Sequence, residues 1–172
     1  MKKLLIVVDF QNDFVDGALG FEDALNVVEP IYDKIRAYKK AGNDIIFTRD
    51  THENNYLETQ EGKNLPIPHC IRNTKGWEIY GEANQYADIV FDKPTFGSLE
   101  MGTYLADKDY DYVELCGLVS NICIISTAVI VKAALPEAKI VVDERLTDSY
   151  DKKLHAEALN VMEGFQIKII RK

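Results

Sequence analysis

The sequence predicts an α/β protein built on a parallel sheet with helices on both faces, and three features of the chain predict it. Short runs of β-branched and apolar residues recur along it, segments of helical period lie between them, and no repeat, low-complexity tract or linker interrupts the alternation.

The apolar runs fall at residues 4–8, 44–48, 88–91, 112–116, 139–142 and 166–170, each of strand length. Between the first two, Ala24, Val27, Val28, Ile31, Ile35 and Tyr38 keep the three-and-four spacing that gathers apolar side chains into one helical stripe. A last helix is predicted over 151–163, stopped by Gly164 as its C-cap, with the final strand two residues further on. Only residues 51–80 break the pattern: they are rich in Asn, Gly, Pro and His, lack a period, and are long for an inert connection. At 172 residues the chain can bury one core and is short for two, so a single domain over 1–172 is expected.

Composition narrows the function classes. With 47% apolar and 28% charged residues the chain has the mixture of a globular protein. A net charge of -8 supplies no basic stripe, which argues against nucleic acid and anionic membranes as partners. The Met-Lys-Lys start leads into only five apolar residues before Asp9, a strand rather than a signal peptide, and no run of about twenty apolar residues follows. Cys70, Cys116 and Cys123 are an odd count without CxxC spacing, which fits neither a disulfide framework nor a thiolate zinc site. A cytoplasmic protein with reduced thiols is expected.

In open parallel sheets, ligands sit at the carboxyl ends of the strands. Asp9, Lys93 and Cys123 all fall where apolar runs end, so one sheet edge should carry all three. Cys123 follows the turn Gly117-Leu118-Val119-Ser120-Asn121 and opens a helical run, where free N–H groups and the helix dipole favour a thiolate and can hold an oxyanion. Asp9 can accept the thiol proton, and Lys93 can stabilise both anions. Singly, each has an ordinary explanation: a turn cap, a solvated lysine, a packed cysteine. Their shared edge sets the chemical reading level with the ordinary ones.

A second constellation is Asp50 and His52, two apart at a strand end and so projecting to one side, with Glu61 and His69 in the irregular segment. That mixed nitrogen and oxygen set suits zinc, manganese or iron. The competing reading makes His52 and His69 surface loop residues. Cys116 and Cys70 read as packing, Asp13 and Asp16 as turn supports. His155, among Lys152, Lys153 and Glu157, is expected to face solvent.

Taken together, Val8-Asp9-Phe10-Gln11-Asn12-Asp13-Phe14, Asp50-Thr51-His52, Pro68-His69-Cys70, Asp92-Lys93 and the segment from Gly117 to Cys123 resemble the isochorismatase-like cysteine hydrolases over nearly the whole chain. The Asp50, His52 and His69 set makes the chain most similar to the nicotinamidase branch. The resemblance implies a six-stranded parallel sheet in a three-layer, Rossmann-like domain, with Asp9 as base, Cys123 as nucleophile and Lys93 between them. It also implies a cis peptide joining Leu118 to Val119 and an oxyanion hole from the backbone N–H groups of Val119 and Cys123. A divalent transition metal, zinc or else manganese or iron, would sit on Asp50, His52 and His69, with Glu61 as a variable fourth ligand. The implied reaction turns nicotinamide into nicotinate and ammonia through a cysteine thioester, in a homo-oligomer.

The sequence departs from the family where some members place a Trp to wall the pyridine pocket, since Pro66 stands there, and where many read Ser-Ala-Phe, since Phe96-Gly97-Ser98-Leu99 stands there. Phe14, Tyr56 or Phe96 is expected to supply the aromatic wall. Three alternatives stay open: the same triad acting on another small amide, carbamoyl or ureido compound, a metal-hydroxide hydrolase at Asp50, and a ligand-binding protein without turnover.

Overall fold

Strands β1 (Lys3–Val8), β2 (Asp44–Asp50), β3 (Val90–Lys93), β4 (Tyr112–Leu118), β5 (Lys139–Asp148) and β6 (Lys168–Ile170) make one sheet in the order β3-β2-β1-β4-β5-β6. Every neighbouring pair is parallel. The computed structural model describes residues 1–172. Central strand β1 shows why its sequence is continuously apolar rather than alternating: both of its faces are buried. Leu4, Ile6 and Val8 pack with Met101, Leu105, Val131 and Leu159, while Leu5 and Val7 pack with Ile31, Ile35 and Phe47 on the other side.

The helices complete three layers. Helices α1 (Asn12–Val15) and α2 (Val28–Lys40) supply one face, α3 (Gln60–Asn64) lies in the irregular segment, and α4 (Leu99–Ala106), α5 (Ile125–Ala134) and α6 (Lys152–Gly164) supply the other. All six residues of the predicted stripe are buried. They divide between a 3₁₀ stretch, Glu22–Val27, and α2, whose Pro30 falls in the first turn, where a missing N–H loses no helical bond.

Several boundaries differ from the sequence reading. Strand β3 is shifted two residues, so Lys93 ends the strand and pairs in register with Asp50. Strand β5 continues to Asp148 past a register shift against β4 between Leu115 and Gly117. Gly164 is the last residue of α6 rather than its cap, and β6 starts late because Gln166 takes a left-handed backbone (φ 70). No helix is long and apolar enough to cross a membrane.

Strand order reverses around β1, whose two neighbours lead to opposite sides of the sheet, and the carboxyl ends there flank a crevice. Gly117 sits at this point, opposite Val8, with φ 120; a Cβ there would lie 2.0 Å from the Val8 carbonyl oxygen. Backbone cannot move aside as a side chain could. Gly117→Ala is therefore expected to destabilise the protein by about 3 kcal/mol or more, read as a lower urea midpoint.

Candidate active site

Four strand ends deliver four charged or reactive side chains to one edge: Asp9 after β1, Asp50 at the end of β2, Lys93 at the end of β3 and Cys123 beyond β4. Asp9 turns out of its strand in the left-handed region (φ 45), which Asp tolerates better than most residues. The turn is held from β2: the Asp9 N–H donates to the carbonyl oxygen and to Oγ1 of Thr48, each at 3.2 Å, and the Thr48 hydroxyl donates to Asp9 Oδ1 at 2.7 Å.

Lys93 is only 1% exposed, so its ammonium must be satisfied inside the protein. Its Nζ lies 2.6 Å from Asp9 Oδ2 and 3.8 Å from Asp50 Oδ1, and it donates to the Thr95 carbonyl at 2.9 Å and to Cys123 Sγ at 3.7 Å. Although burial opposes the charge, the Asp9 carboxylate and the other anionic groups around it hold the lysine protonated well above its usual range. Burial raises the Asp9 pKa against the pull of Lys93, and Asp50 adds to the rise, which makes Asp9 a stronger base than a surface carboxylate.

The helix-dipole expectation of a resting thiolate is corrected here. Burial, and after it the neighbouring Asp9 carboxylate, push the Cys123 thiol well above its usual range despite Lys93. Cys123 does not open the α-helix either. It lies in a π-helical turn, Ser120–Ile124, that precedes α5. The thiol, held neutral, thus stands beside a carboxylate of raised basicity.

The Leu118–Val119 peptide is cis, as the sequence comparison implied. The Val119 carbonyl accepts from the N–H groups of Ile122 and Ile124, both at 3.2 Å, while its own N–H donates to no group of the protein. A free donor next to the turn that carries Cys123 suits an oxygen that gains negative charge.

The irregular segment folds back onto the strand ends through backbone bonds around His52: its N–H donates to the Cys70 carbonyl at 3.0 Å, and the Arg72 N–H donates to the His52 carbonyl at 2.8 Å. This brings His69 beside His52. Thr59 caps α3, its hydroxyl accepting from the Gly62 N–H at 3.0 Å, and so aims Glu61 at the same point. Asp50 Oδ2 stands 3.0 Å from His52 Nε2 and 3.2 Å from His69 Nε2, and Glu61 Oε1 stands 3.6 and 3.8 Å from those two nitrogens. One ligand atom from each of the four lies within 4.8 Å of the others.

Two imidazole nitrogens and two carboxylates at this spacing fit a divalent transition metal. The His69 Nδ1–H donates to the Ile67 carbonyl at 2.8 Å, which leaves Nε2 as the donor atom, the arrangement usual for a ligating histidine. Burial raises the Asp50 pKa, but the two histidines beside it, and the Lys93 ammonium after them, outweigh burial and keep the carboxylate ionised well below its usual range. Both histidines are buried, contrary to a surface-loop role.

Sequence reasoning missed three contributors. The Gln11 side-chain amide clamps the Asp50 backbone, accepting its N–H at 2.8 Å and donating to its carbonyl at 2.9 Å. Thr48 orients Asp9. His155, expected in solvent, is buried in α6 with Nδ1 2.8 Å from the hydroxyl of Ser120, fastening the turn that carries Cys123 to the last helix. Asp13 supports the turn as expected, accepting from the N–H groups of Cys70 at 2.7 Å and Ala18 at 3.1 Å. Cys70 and Cys116 are fully buried.

The three rings expected for the aromatic wall take different positions. Phe14 lines a cavity beside the site and meets His69 edge-on at 5.7 Å between centroids. Tyr56 instead packs behind His52 and His69, its hydroxyl donating to the Leu65 carbonyl at 2.8 Å, and Phe96 points to solvent from the loop after β3 at 43% exposure.

A family model described as the isochorismatase domain matches residues 3–171. An isochorismatase family protein of Bacillus subtilis, PncA, is 28% identical over 174 residues, 93% of each chain. The nicotinamidase of Saccharomyces cerevisiae is 24% identical over 173 residues, 74% of this chain and 80% of that one. Among solved structures, the pyrazinamidase of Pyrococcus horikoshii in complex with zinc superposes with a TM-score of 0.86 at 25% identity, covering 100% of both chains.

Removing the His155 ring leaves the buried Ser120 hydroxyl without its partner. His155→Ala is expected to cost about 2 kcal/mol of stability. In a urea-unfolding double-mutant cycle with Ser120→Ala, the two losses should fall short of additive by on the order of 1 kcal/mol.

Proposed function

The chain belongs to the isochorismatase family, and we propose that it is a metal-containing cysteine amidohydrolase of the nicotinamidase type, releasing nicotinate and ammonia from nicotinamide. The observation that carries this reading is the buried Asp9, Lys93 and Cys123 cluster, joined to the four-donor set through the shared contact of Lys93 with Asp9 and Asp50.

In this mechanism Asp9 takes the Cys123 proton as sulfur attacks the amide carbonyl carbon. The carbonyl π electrons move onto oxygen, held by the N–H groups of Val119 and Cys123. Lys93 keeps the ammonium charge between the developing sulfur anion and the Asp9 carboxylate. Collapse of the intermediate breaks the C–N bond, and the proton on Asp9 passes to the leaving nitrogen, which departs as ammonia. Asp9 then takes a proton from water, whose oxygen attacks the thioester. The C–S bond breaks, the acid leaves, and the thiol is restored.

Asp50, His52, His69 and Glu61 would hold the divalent ion, zinc or else manganese or iron, whose chemistry is to bind a donor atom of the substrate ring and orient it. The rigid loop around His52 and the Gln11 clamp fix that orientation relative to Cys123.

Ammonia release from nicotinamide by the zinc-supplemented protein is the direct test, and its absence with zinc, manganese and iron in turn would sink the substrate assignment. Cys123→Ala should abolish release. Asp9→Asn should lower kcat by about 10²–10⁴-fold. A metal-hydroxide hydrolase at Asp50 would instead keep its activity in Cys123→Ala. Dialysis against a chelator should suppress turnover, and added zinc should restore it.

A further inference from the structure

Beside the triad lies an apolar cavity of about 390 Å³. Phe14, Leu19, Phe21, Val119 and Ile122 wall it, and no Lys, Arg, Asp or Glu is among its lining residues. Its deep end belongs to the site already described: Val119 carries the unengaged N–H, and Phe14 rests against His69. Both are nearly buried, whereas Ile67 and Tyr150 at the mouth are 41% and 64% exposed. Phe21 meets Tyr150 edge to face there, with centroids 6.4 Å apart.

A volume of this size falls in the range that takes drug-sized ligands, about 300–1,000 Å³. One six-membered ring with its carboxamide leaves much of it to water, which apolar walls hold poorly. The geometry points to a larger preferred substrate: an uncharged primary amide whose acyl group carries an apolar chain or second ring, running from Val119 outward to Ile67 and Tyr150. This rests on the amidohydrolase reading and names its substrate class.

Two consequences separate it from its rivals. A carbamoyl or ureido acid would bring a carboxylate into a cavity with no cation to meet it, and unpaired charge is costly to bury. An apolar substituent, by contrast, leaves water on entering. Each buried methylene is then expected to tighten binding about fourfold, the equivalent of about 0.8 kcal/mol.

The test is a calorimetric titration of zinc-loaded Cys123→Ala protein, which cannot turn substrate over. The ligands are nicotinamide and two series of pyridine-3-carboxamides bearing methyl, ethyl and propyl groups, each series at a different ring position. Kd should fall about fourfold per methylene in at least one series, and Ile67→Asp, a change at the exposed mouth, should flatten that gradient. A Kd that stays constant or rises in both series overturns the proposal. Ammonia release by the wild-type protein from the same compounds separates the two readings. Hydrolysis of nicotinamide with a flat Kd removes only the larger substrate. A Kd gradient with no ammonia from any compound removes the amidohydrolase reading, and with it the assignment of the cavity's occupant as a substrate.

Discussion

An ammonium group shut away from water has to be surrounded by anions and carbonyls, and Lys93 imposes that demand on the whole carboxyl edge of the sheet. Its charge is met by Asp9 at 2.6 Å and, more distantly, by Asp50 at 3.8 Å. Those two carboxylates come from different strands and serve different groups: one faces the cysteine, the other the histidines. The lysine is thus the link between the Asp9 and Cys123 pair and the four-donor set. Removing its charge would leave two buried carboxylates facing each other, so the ion pair fixes the protonation pattern as much as the shape.

What surrounds this cluster is mostly backbone control. Thr48 holds Asp9 in its left-handed turn, Gln11 holds both polar backbone groups of Asp50, and the His52 bridge returns the irregular segment to the strand ends. Of these residues only Thr48 touches a group that reacts in the proposed mechanism, through its bond to Asp9 Oδ1. Each removes a freedom that would otherwise blur the distances between base, nucleophile and donor set. The cost is a buried Cys123 thiol whose proton is hard to lose, and in the proposed mechanism the raised basicity of Asp9 answers it.

Much of this arrangement was legible in the sequence because strand ends are legible. Apolar runs place Asp9, Asp50 and Lys93 within two residues of a sheet edge, and an edge of a parallel sheet is a shared place. The turns beyond those ends were harder to read. Nothing in the spacing of Tyr56 or Phe96 tells which ring faces a cavity, since that depends on how residues 51–80 and the loop after β3 fold back. His155 is a different case: it stands in phase with the buried Ala158, Leu159 and Met162, so the helical period did mark it as inward-facing. The charged neighbours Lys152, Lys153 and Glu157 obscured a signal that was present. The thiol's raised pKa was out of reach of any pattern, because it comes from burial and from a carboxylate more than a hundred residues away in sequence.

The bond from His155 to Ser120 also makes the turn of Cys123 depend on the end of the chain. Strand β1 cannot find β4 until Tyr112 exists to pair with Lys3, and the turn bearing Cys123 is not fastened until α6 has formed behind it. A ribosome delivers the carboxylates, the lysine and both donor histidines long before it delivers that fastening, and contacts so distant in sequence form late. A half-made chain that stops short of the last helix therefore holds most of the site's residues without the contact that fastens the turn of Cys123.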